Sequence, residues 1–280
     1  MKKEASKSGQ VVLITLLVLV IATTVGLSLI SRTTTDIRIT SQVEQSSRAF
    51  SAAEAGVEEA LNGLDTHGVL QSIVGVAGVK YSVIVSNIGG GSATGIYQFP
   101  KKTQEGATET FWLVNHDDAT GLLEETPVYP AASTIDVCWS DEATVPAMVI
   151  TLLYKVGTDY RVAKEAIDPN GSRMPPNQFS LPNMSGGCGG STGTTHKERI
   201  DFSAMGVGSS DTVIALRIRP VYSDAKIVIN ADLIPKQGKS IESTGTTDSG
   251  TNRKILVYQQ YRSPATVFDA AIYSQSNLVQ

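Results

Sequence analysis

The sequence has few of the residues that usually carry chemistry. Its 280 residues include three histidines and two cysteines, and charged residues make up only 18%. Such a composition leaves little material for a metal centre, and no G-x-S-x-G motif indicates a nucleophilic serine. No basic run after the N-terminus exceeds two residues, which argues against a nucleic-acid surface. The sequence therefore predicts no enzyme, no cofactor and no nucleic-acid partner.

Two polar segments have some character of ligand-binding loops but are better interpreted as turns. "NHDDATG" (115–121) has the acidic density of a calcium loop, yet it lacks the spaced carboxylates and terminal glutamate of an EF-hand. "IGGGSATG" (88–95) is rich in glycine but lacks the lysine of a phosphate loop. The three histidines, His67, His116 and His196, are predicted to lie in separate polar turns, so a shared metal site is not expected.

One long uncharged stretch lies near the N-terminus, from Val11 to Ser31. A helix of this length spans about 30 Å, the thickness of the hydrocarbon layer. Three lysines and one glutamate precede it, so the positive-inside rule predicts a cytoplasmic N-terminus. A removable signal peptide has a shorter apolar region, and we predict a retained transmembrane helix over about 11–31. Cleavage within "IATTVG" (21–26) is the alternative.

The helical pattern continues beyond Arg32 with no proline before Gly63. Its apolar residues are spaced by 4, 7, 7, 4 and 3 and form one stripe: Ile39, Val43, Phe50, Val57, Leu61 and Leu64. Asn62 and Gly63 are typical of a helix end. We therefore predict one helix from about 10 to 62 within a segment 10–64. Its second half, about 32–62, is amphipathic and can lie on a globular domain.

The remaining residues, 65–280, are predicted to form a β-rich extracytoplasmic domain. Short runs rich in β-branched residues alternate with turns rich in glycine and serine. The predicted strands are 79–87, 109–115, 133–140, 147–156, 159–167, 211–222, 225–232, 253–262 and 266–275, whereas "ESTGTTDSGTN" (242–252) is interpreted as a turn. The fold class is therefore α+β, a long helix followed by a mostly antiparallel β-sandwich-like domain.

The two cysteines, Cys138 and Cys188, form an even set in a chain with an export segment, which suggests a disulfide. Cys188 lies in "SGGCGGS", a setting too polar for an inert buried thiol. The bond would close a loop of about 50 residues and contribute roughly 4 kcal/mol. The alternative is two unrelated buried thiols.

The first 64 residues resemble type IV pilin-like proteins, in particular the minor pilins and pseudopilins of the PilX- or PulK-like group. A short basic leader, 1–9, ends at Gly9, and the apolar helix begins directly at Gln10. The segment "RAFSAAEAGVEEAL" (48–61) is similar to the "AFxAAEAG" signature at the end of the first helix in that group. The resemblance covers under a quarter of the chain.

This resemblance implies cleavage between Gly9 and Gln10 by a prepilin peptidase, followed by methylation of the new N-terminus. Loss of the leader would change the formal charge from −4 to −6. Major pilins have glutamate at the fifth mature position, whereas this chain has Ile14. A carboxylate in lipid is costly unless it is paired, and a tip subunit has no neighbour above it to pair with. Ile14 therefore fits a subunit at a filament tip.

The function implied is that of a minor pilin-like structural subunit of a type IV pilus or related secretion system, acting in assembly initiation or at the tip. The signature residues Phe50, Ala52, Ala53, Glu54 and Gly56 would join the helix to the domain. Expected partners are other pilin subunits, the prepilin peptidase and the membrane. The expected location is the cytoplasmic membrane, single-pass with the C-terminal domain outside, and then the pilus or cell surface.

Two other functions stay open on the residues alone. An anchored ectodomain could bind a ligand or a surface without being processed as a pilin. An exported β-rich enzyme would need clustered acid and base residues, and the sequence displays no such cluster.

Overall fold

The structure is a computed structural model that describes residues 8–63, 67–73, 77–90, 95–117, 120–127, 129–189 and 192–269. Contacts along the chain divide it into two compact units. The helix-bearing unit comprises Met1–Ile84 and Glu242–Leu256, and the sandwich unit comprises Val85–Ile241 and Val257–Gln280.

Two helices and fourteen strands are described. In chain order they are α1 (Ser8–Leu61), β1 (His67–Ser72), β2 (Val79–Ile88), β3 (Gly95–Gln98), β4 (Glu109–Trp112), β5 (Val114–His116), β6 (Leu123–Pro127), β7 (Thr134–Trp139), β8 (Ala147–Val156), β9 (Asp159–Ile167), α2 (Met174–Asn177), β10 (His196–Asp201), β11 (Thr212–Val221), β12 (Ile227–Ala231), β13 (Gly238–Thr247) and β14 (Asn252–Gln260).

Helix α1 dominates the helix-bearing unit. It runs without interruption for 54 residues, which corresponds to about 80 Å. The predicted helix end is confirmed: the N–H of Asn62 donates to the carbonyl of Glu58 at 3.0 Å, and Gly63 adopts φ +82°. A four-stranded sheet in the order β1-β2-β13-β14 accompanies it, with β1 antiparallel to β2.

The first part of α1 is long and apolar enough to span a membrane. An 18-residue window reaches a mean hydropathy of 2.6 and none of it is buried inside the protein. The three threonine hydroxyls there bond within the helix, because Thr15, Thr23 and Thr24 donate to carbonyls three or four residues earlier at 2.9–3.1 Å. Such internal bonding lets a polar side chain sit in an apolar environment without an unsatisfied donor.

The sandwich unit contains two four-stranded sheets, in the orders β10-β7-β12-β3 and β4-β11-β8-β9, and the two-stranded pair β5-β6. The strand pairings in both large sheets are antiparallel. Their inner faces share one core whose largest members are Trp139, Tyr129, Phe99, Phe111 and Phe202. Alternation along the strands explains this layout, since successive side chains of a strand point to opposite faces.

The predicted fold class, α+β with an antiparallel β-domain, is confirmed. Strands β8 and β9 match the predicted runs 147–156 and 159–167 residue for residue. The predicted strand 109–115 is divided into β4 and β5. The predicted last strand, 266–275, is wrong in its described part, because Thr266–Asp269 forms a 3-10 turn, and residues 270–275 lie outside the described residues. Strands β1, β3, β6, β10 and β13 were not predicted.

Candidate functional site: the helix docking face

Four small residues near the end of α1 form the face that packs on the sheet. Ala49, Ala52, Ala53 and Gly56 are buried, and we call this set the helix docking face. Their spacing of 3, 1 and 3 residues places them on one side of a helix. The three alanines have no exposed area at all, so the packing is tight along two turns.

The backbone of the sheet comes into direct contact with this face. A Cβ atom built at Gly245 of β13 would lie 1.9 Å from the carbonyl oxygen of Ala49 and 2.6 Å from the amide nitrogen of Ala53. Real Cβ contacts never come so close to backbone atoms, so only glycine fits at position 245. Docking therefore requires small residues on both the helix and the strand.

Gly56 repeats this arrangement one turn further along the helix. A Cβ atom there would meet the hydroxyl oxygen of Ser243 at 2.4 Å and Cδ2 of Tyr81 at 2.8 Å. Ser243 is fully buried, and its hydroxyl has no hydrogen-bond partner among the described residues. The "AAEAG" spacing thus supplies small residues where two strands approach the helix.

Polar contacts surround the helix docking face and fix its register on the sheet. The Arg48 guanidinium donates to the carbonyl of Ala77 at 2.6 Å. Nε of Arg253 on β14 donates to the hydroxyl of Ser46 at 2.8 Å, and the hydroxyl of Ser249 donates to Gln45 at 3.1 Å. These contacts come from three separate segments of the unit, which locates one end of the docked helix.

A further contact closes the other end. The Tyr81 hydroxyl donates to the carboxylate of Glu59, and this hydrogen bond, with burial and the negative charge of Glu59, raises the pKa of Tyr81 to about 12. The tyrosine therefore stays protonated and keeps donating at all physiological pH values.

The structure distributes the five signature residues over two sides of the helix. Ala52, Ala53 and Gly56 belong to the helix docking face, whereas Phe50 is 47% exposed and Glu54 is exposed. The predicted apolar stripe is also on the outside: Ile39 and Val43 are 54% and 63% exposed. The expectation that this stripe lies on a globular domain is wrong at these positions. Small residues pack better here because they allow backbone contact.

The predicted processing residues lie at the beginning of α1. Gly9 and Gln10 are the second and third residues of the described helix, and Ile14 follows on its exposed surface. The first N–H groups of a helix have no intrahelical acceptor, so opening the chain around Gly9 breaks few hydrogen bonds. Residues 1–7 of the predicted leader lie outside the described residues.

The predicted disulfide in the sandwich unit is confirmed. Cys138 on β7 is bonded to Cys188, with their Cα atoms 5.7 Å apart. The N–H of Cys188 donates to the hydroxyl of Thr194 at 3.0 Å, which holds the glycine-rich loop beside the strand. The bond is therefore part of the sandwich unit alone.

The histidines are placed differently from the prediction. All three lie in strands: His67 in β1, His116 in β5 and His196 in β10. His116 is buried, stacks on Tyr261 at 3.9 Å between ring centroids, and burial lowers its pKa. Among the described residues, no group of three or more His, Cys, Asp or Glu side chains could hold a metal ion.

Two important features escaped the sequence analysis. Glu242–Thr247, interpreted as a turn, belongs to β13, and its Ser243 and Gly245 lie against the helix docking face. Glu198 on β10 is 1% exposed, and burial, reinforced by the negative charge of Glu165, raises its pKa to about 7, although the N–H of Asn183 donates to it. The available signal for the burial of Glu198 was its position two residues before the apolar Ile200, which places both on the same face of a strand.

Comparison with known proteins adds no relative: no protein-family model, curated protein or solved structure matches this chain.

Proposed function

We propose that this chain is a minor pilin-like structural subunit of a type IV pilus or a related secretion system, acting in assembly initiation or at the tip. The supporting observation is the division of α1 into a bare apolar part and a part docked through alanine and glycine. Residues 10–44 are exposed apart from Gly26, which is half-buried, and docking begins only near Gln45.

The bare part requires a non-aqueous environment. Val11–Ser31 presents apolar side chains on every side, and water cannot be its stable surroundings. A lipid bilayer can surround this surface in one state and the helices of other subunits can surround it in another. Such helix association relies on close packing rather than on the hydrophobic effect. The partners proposed are therefore the membrane and other pilin subunits.

The docked part makes the helix and its sheet move as one body. Backbone contact at Gly245, together with the hydrogen bonds of Arg48 and Arg253, resists sliding along the helix axis. A force or displacement applied to the bare part is thereby transmitted to the sheet. This is the mechanical requirement of a filament subunit, and it needs no catalytic turnover.

Processing by a prepilin peptidase belongs to the same proposal. The Gly9–Gln10 bond would be cut, Gln10 would be methylated, and Ile14 would leave the subunit without the carboxylate that pairs with a neighbour. The proposed location is the cytoplasmic membrane with the β-rich part outside, followed by the pilus or cell surface.

Intact mass of the chain purified from its native membranes tests this function. We expect loss of residues 1–9 and addition of one methyl group. The Gly9→Val variant should keep its full length, whereas Gly26→Ala, a glycine with no atom within 4 Å of an added Cβ, should be processed normally. A full-length, unmodified wild-type chain would contradict the proposal and favour an anchored ectodomain that binds a ligand or surface.

A further inference from the structure

A C-terminal segment of the sandwich unit, Tyr261–Asp269, is fastened to that unit at both ends, and we call it the strap. At one end the Tyr261 ring stacks on His116, and the N–H of Tyr261 donates to the carbonyl of Gln237 at 3.2 Å. At the other end Asp269, in the 3-10 turn Thr266–Asp269, binds Arg217 of β11. The strap has no strand pairing of its own.

Asp269 is held by a set of three donors, which we call the aspartate socket. Arg217 donates to both carboxylate oxygens, from Nε at 2.5 Å and from Nη2 at 2.9 Å. The hydroxyl of Thr108 adds a bond of 2.7 Å to the same carboxylate, and Nζ of Lys164 donates to the backbone carbonyl of Asp269 at 2.5 Å. Bidentate pairing of this kind is strong and specific for a carboxylate.

The register of the sheet builds the socket. Arg217 lies opposite Thr110 on β4 and Thr151 on β8, and Thr151 lies opposite Lys164 on β9. Its neighbours Leu216 and Ile218 belong to the core, so Arg217 faces the outer side of the sheet. Nη1 of Arg217 also donates to the hydroxyl of Thr110 at 3.2 Å, which helps to orient the guanidinium plane.

An empty socket would be unfavourable. Arg217 is only 3% exposed, and a buried guanidinium without its partner is a costly uncompensated charge. Asp269 also stays ionised in the socket: burial acts to raise its pKa, but the hydrogen bonds from Arg217 and Thr108 and the charge of Arg219 lower it below its usual value. The socket therefore requires a carboxylate, which Asp269 supplies in this structure.

The rest of the strap offers a hinge. Residues 262–265 are all exposed and make no hydrogen bond within the described part of the chain. They include Pro264, which favours an extended backbone. A change of direction in these four residues would redirect the strap without breaking a strand or the core.

We propose that the aspartate socket is an exchange site that binds the strap of its own chain or, in trans, the strap of a second copy. The socket recognises a side-chain carboxylate and the backbone carbonyl of the same residue, so its ligand is an aspartyl residue within a peptide. A second copy presents the same aspartate on the same flanking sequence. This inference does not depend on the proposed function.

Exchange between copies is governed by concentration. A tethered ligand has an effective concentration of the order of millimolar, so the chain's own strap occupies the socket in dilute solution. Exchange of an identical element costs little because the contacts made in trans equal those lost in cis. A crowded arrangement of subunits, or a weakened strap, is expected to reveal it.

A peptide titration tests the chemistry of the socket. The full-length Asp269→Ala chain in detergent micelles is titrated with a fluorescent, end-blocked peptide of residues 261–269, and anisotropy is recorded. We expect the peptide to bind the Asp269→Ala chain at least about tenfold more tightly than the wild-type chain, whose socket is filled. A peptide with asparagine at position 269 should bind the Asp269→Ala chain at least about tenfold more weakly than the peptide with aspartate. Equal binding of the two peptides, or no binding to a folded variant, would overturn the proposal. Asp269→Asn replaces Asp269→Ala if the latter does not fold.

Mixing two variants tests occupation by a second copy. Asp269→Ala keeps an intact socket and lacks the ligand, whereas Arg217→Gln keeps the ligand and lacks the socket. We expect native mass spectrometry to show a 1:1 heterodimer when the two variants are mixed. Each variant alone should remain monomeric. A double variant mixed with wild type should also remain monomeric. Failure of the folded pair to associate at concentrations where the peptide saturates would refute occupation in trans.

Discussion

The helix docking face and the sandwich core solve the packing problem in opposite ways. The docking face uses alanine and glycine and meets serine and glycine of β13, so that the backbone of α1 touches the backbone of β13 at Gly245. The core of the sandwich unit uses large side chains, among them Trp139 and Phe111, which fill the space between two sheets. The docking face therefore depends on side chains that are small, and the sandwich core depends on side chains that are large.

Opposite kinds of substitution are therefore expected to destabilise the two interfaces. Adding a single methyl group should disrupt the docking face, because backbone atoms cannot rotate out of the way. Removing atoms should disrupt the sandwich core, because close-packed interiors do not collapse fully around a void. Substitutions at Gly245 and at Phe111 test the two sides of this contrast.

The largest effect is expected from Gly245→Ala in β13. Its new Cβ would lie 1.9 Å from the carbonyl of Ala49, so the helix and the sheet must separate. Overpacking usually costs about 1–3 kcal/mol, and we expect a cost above that range here because the clash is with backbone. Hydrogen exchange of peptides covering 45–61 should lose its protection.

Gly26→Ala is the matched control, since it lies on the same helix with nothing within 4 Å of the added atom. It should leave exchange over 45–61 unchanged. Equal protection in the Gly245→Ala and wild-type chains would show that the helix and the sheet are not in backbone contact, and the contrast between the two interfaces would fail.

Truncation of Phe111 on β4 should be the most damaging change of the opposite kind. Phe111 has no exposed area, and replacing a buried phenylalanine by alanine typically costs 3–5 kcal/mol. Urea unfolding followed by the fluorescence of Trp112 and Trp139, both in the sandwich unit, would measure it. Ala52→Gly, the equivalent truncation in the docking face, should cost only about 1 kcal/mol, the usual helix penalty of glycine. A larger loss at Ala52 than at Phe111 would invert the contrast.

The same contrast explains what could be predicted from the sequence. Strands β8 and β9 were found to the residue because their large apolar and β-branched side chains give a clear signal. Strand β13 was missed because Ser243, Gly245 and Thr247 resemble a turn when the helix that touches them is not considered. An interface made of small residues leaves little trace in hydropathy.

Periodicity did not indicate the docking face, and the "AAEAG" motif coincides with only part of it. The apolar stripe pointed to Ile39, Val43 and Phe50, and these residues are exposed. The signature residues are Phe50, Ala52, Ala53, Glu54 and Gly56; Ala52, Ala53 and Gly56 are buried, whereas Phe50 and Glu54 are exposed. Hydrophobicity ranks large residues first, whereas close helix–sheet contact selects the smallest ones. The aspartate socket had no sequence signal, because its residues are far apart in the chain: the register of the sheet brings Arg217 near Lys164, and the strap brings Asp269 to them.

Glu198→Gln tests an unfavourable group inside the sandwich unit. The buried carboxyl group of Glu198 is costly to ionise, and glutamine at this position cannot ionise. The folded-state pKa of Glu198 is about 7, above its ordinary value of 4.5, so the folded state binds the extra proton between these values. The free energy of unfolding therefore falls by up to about 3 kcal/mol as the pH rises from about 4.5 to 7. Above about pH 7 this contribution no longer changes. The variant should match wild type at pH 4.5 and be more stable by roughly 2–3 kcal/mol at pH 8.

Urea unfolding at the two pH values measures this difference. Glu105→Gln, at an exposed position, is the matched control for replacing a glutamate and should change stability at neither pH. A Glu198→Gln chain that is less stable than wild type at pH 8 would mean that the carboxylate is ionised and favourably paired in the folded state.

The smallest effect is expected from Ser243→Ala, and its sign is informative. The Ser243 hydroxyl is buried against Gly56 with no hydrogen-bond partner among the described residues, and such a group typically costs 1–3 kcal/mol. Alanine removes it and adds no atom, so we expect stabilisation of about 1 kcal/mol and stronger exchange protection over 45–61. Ser243→Thr adds one methyl group at the same place and should instead destabilise. If both variants were destabilising, the hydroxyl would have a partner in the folded chain, and the docking face would depend on more than the size of its residues.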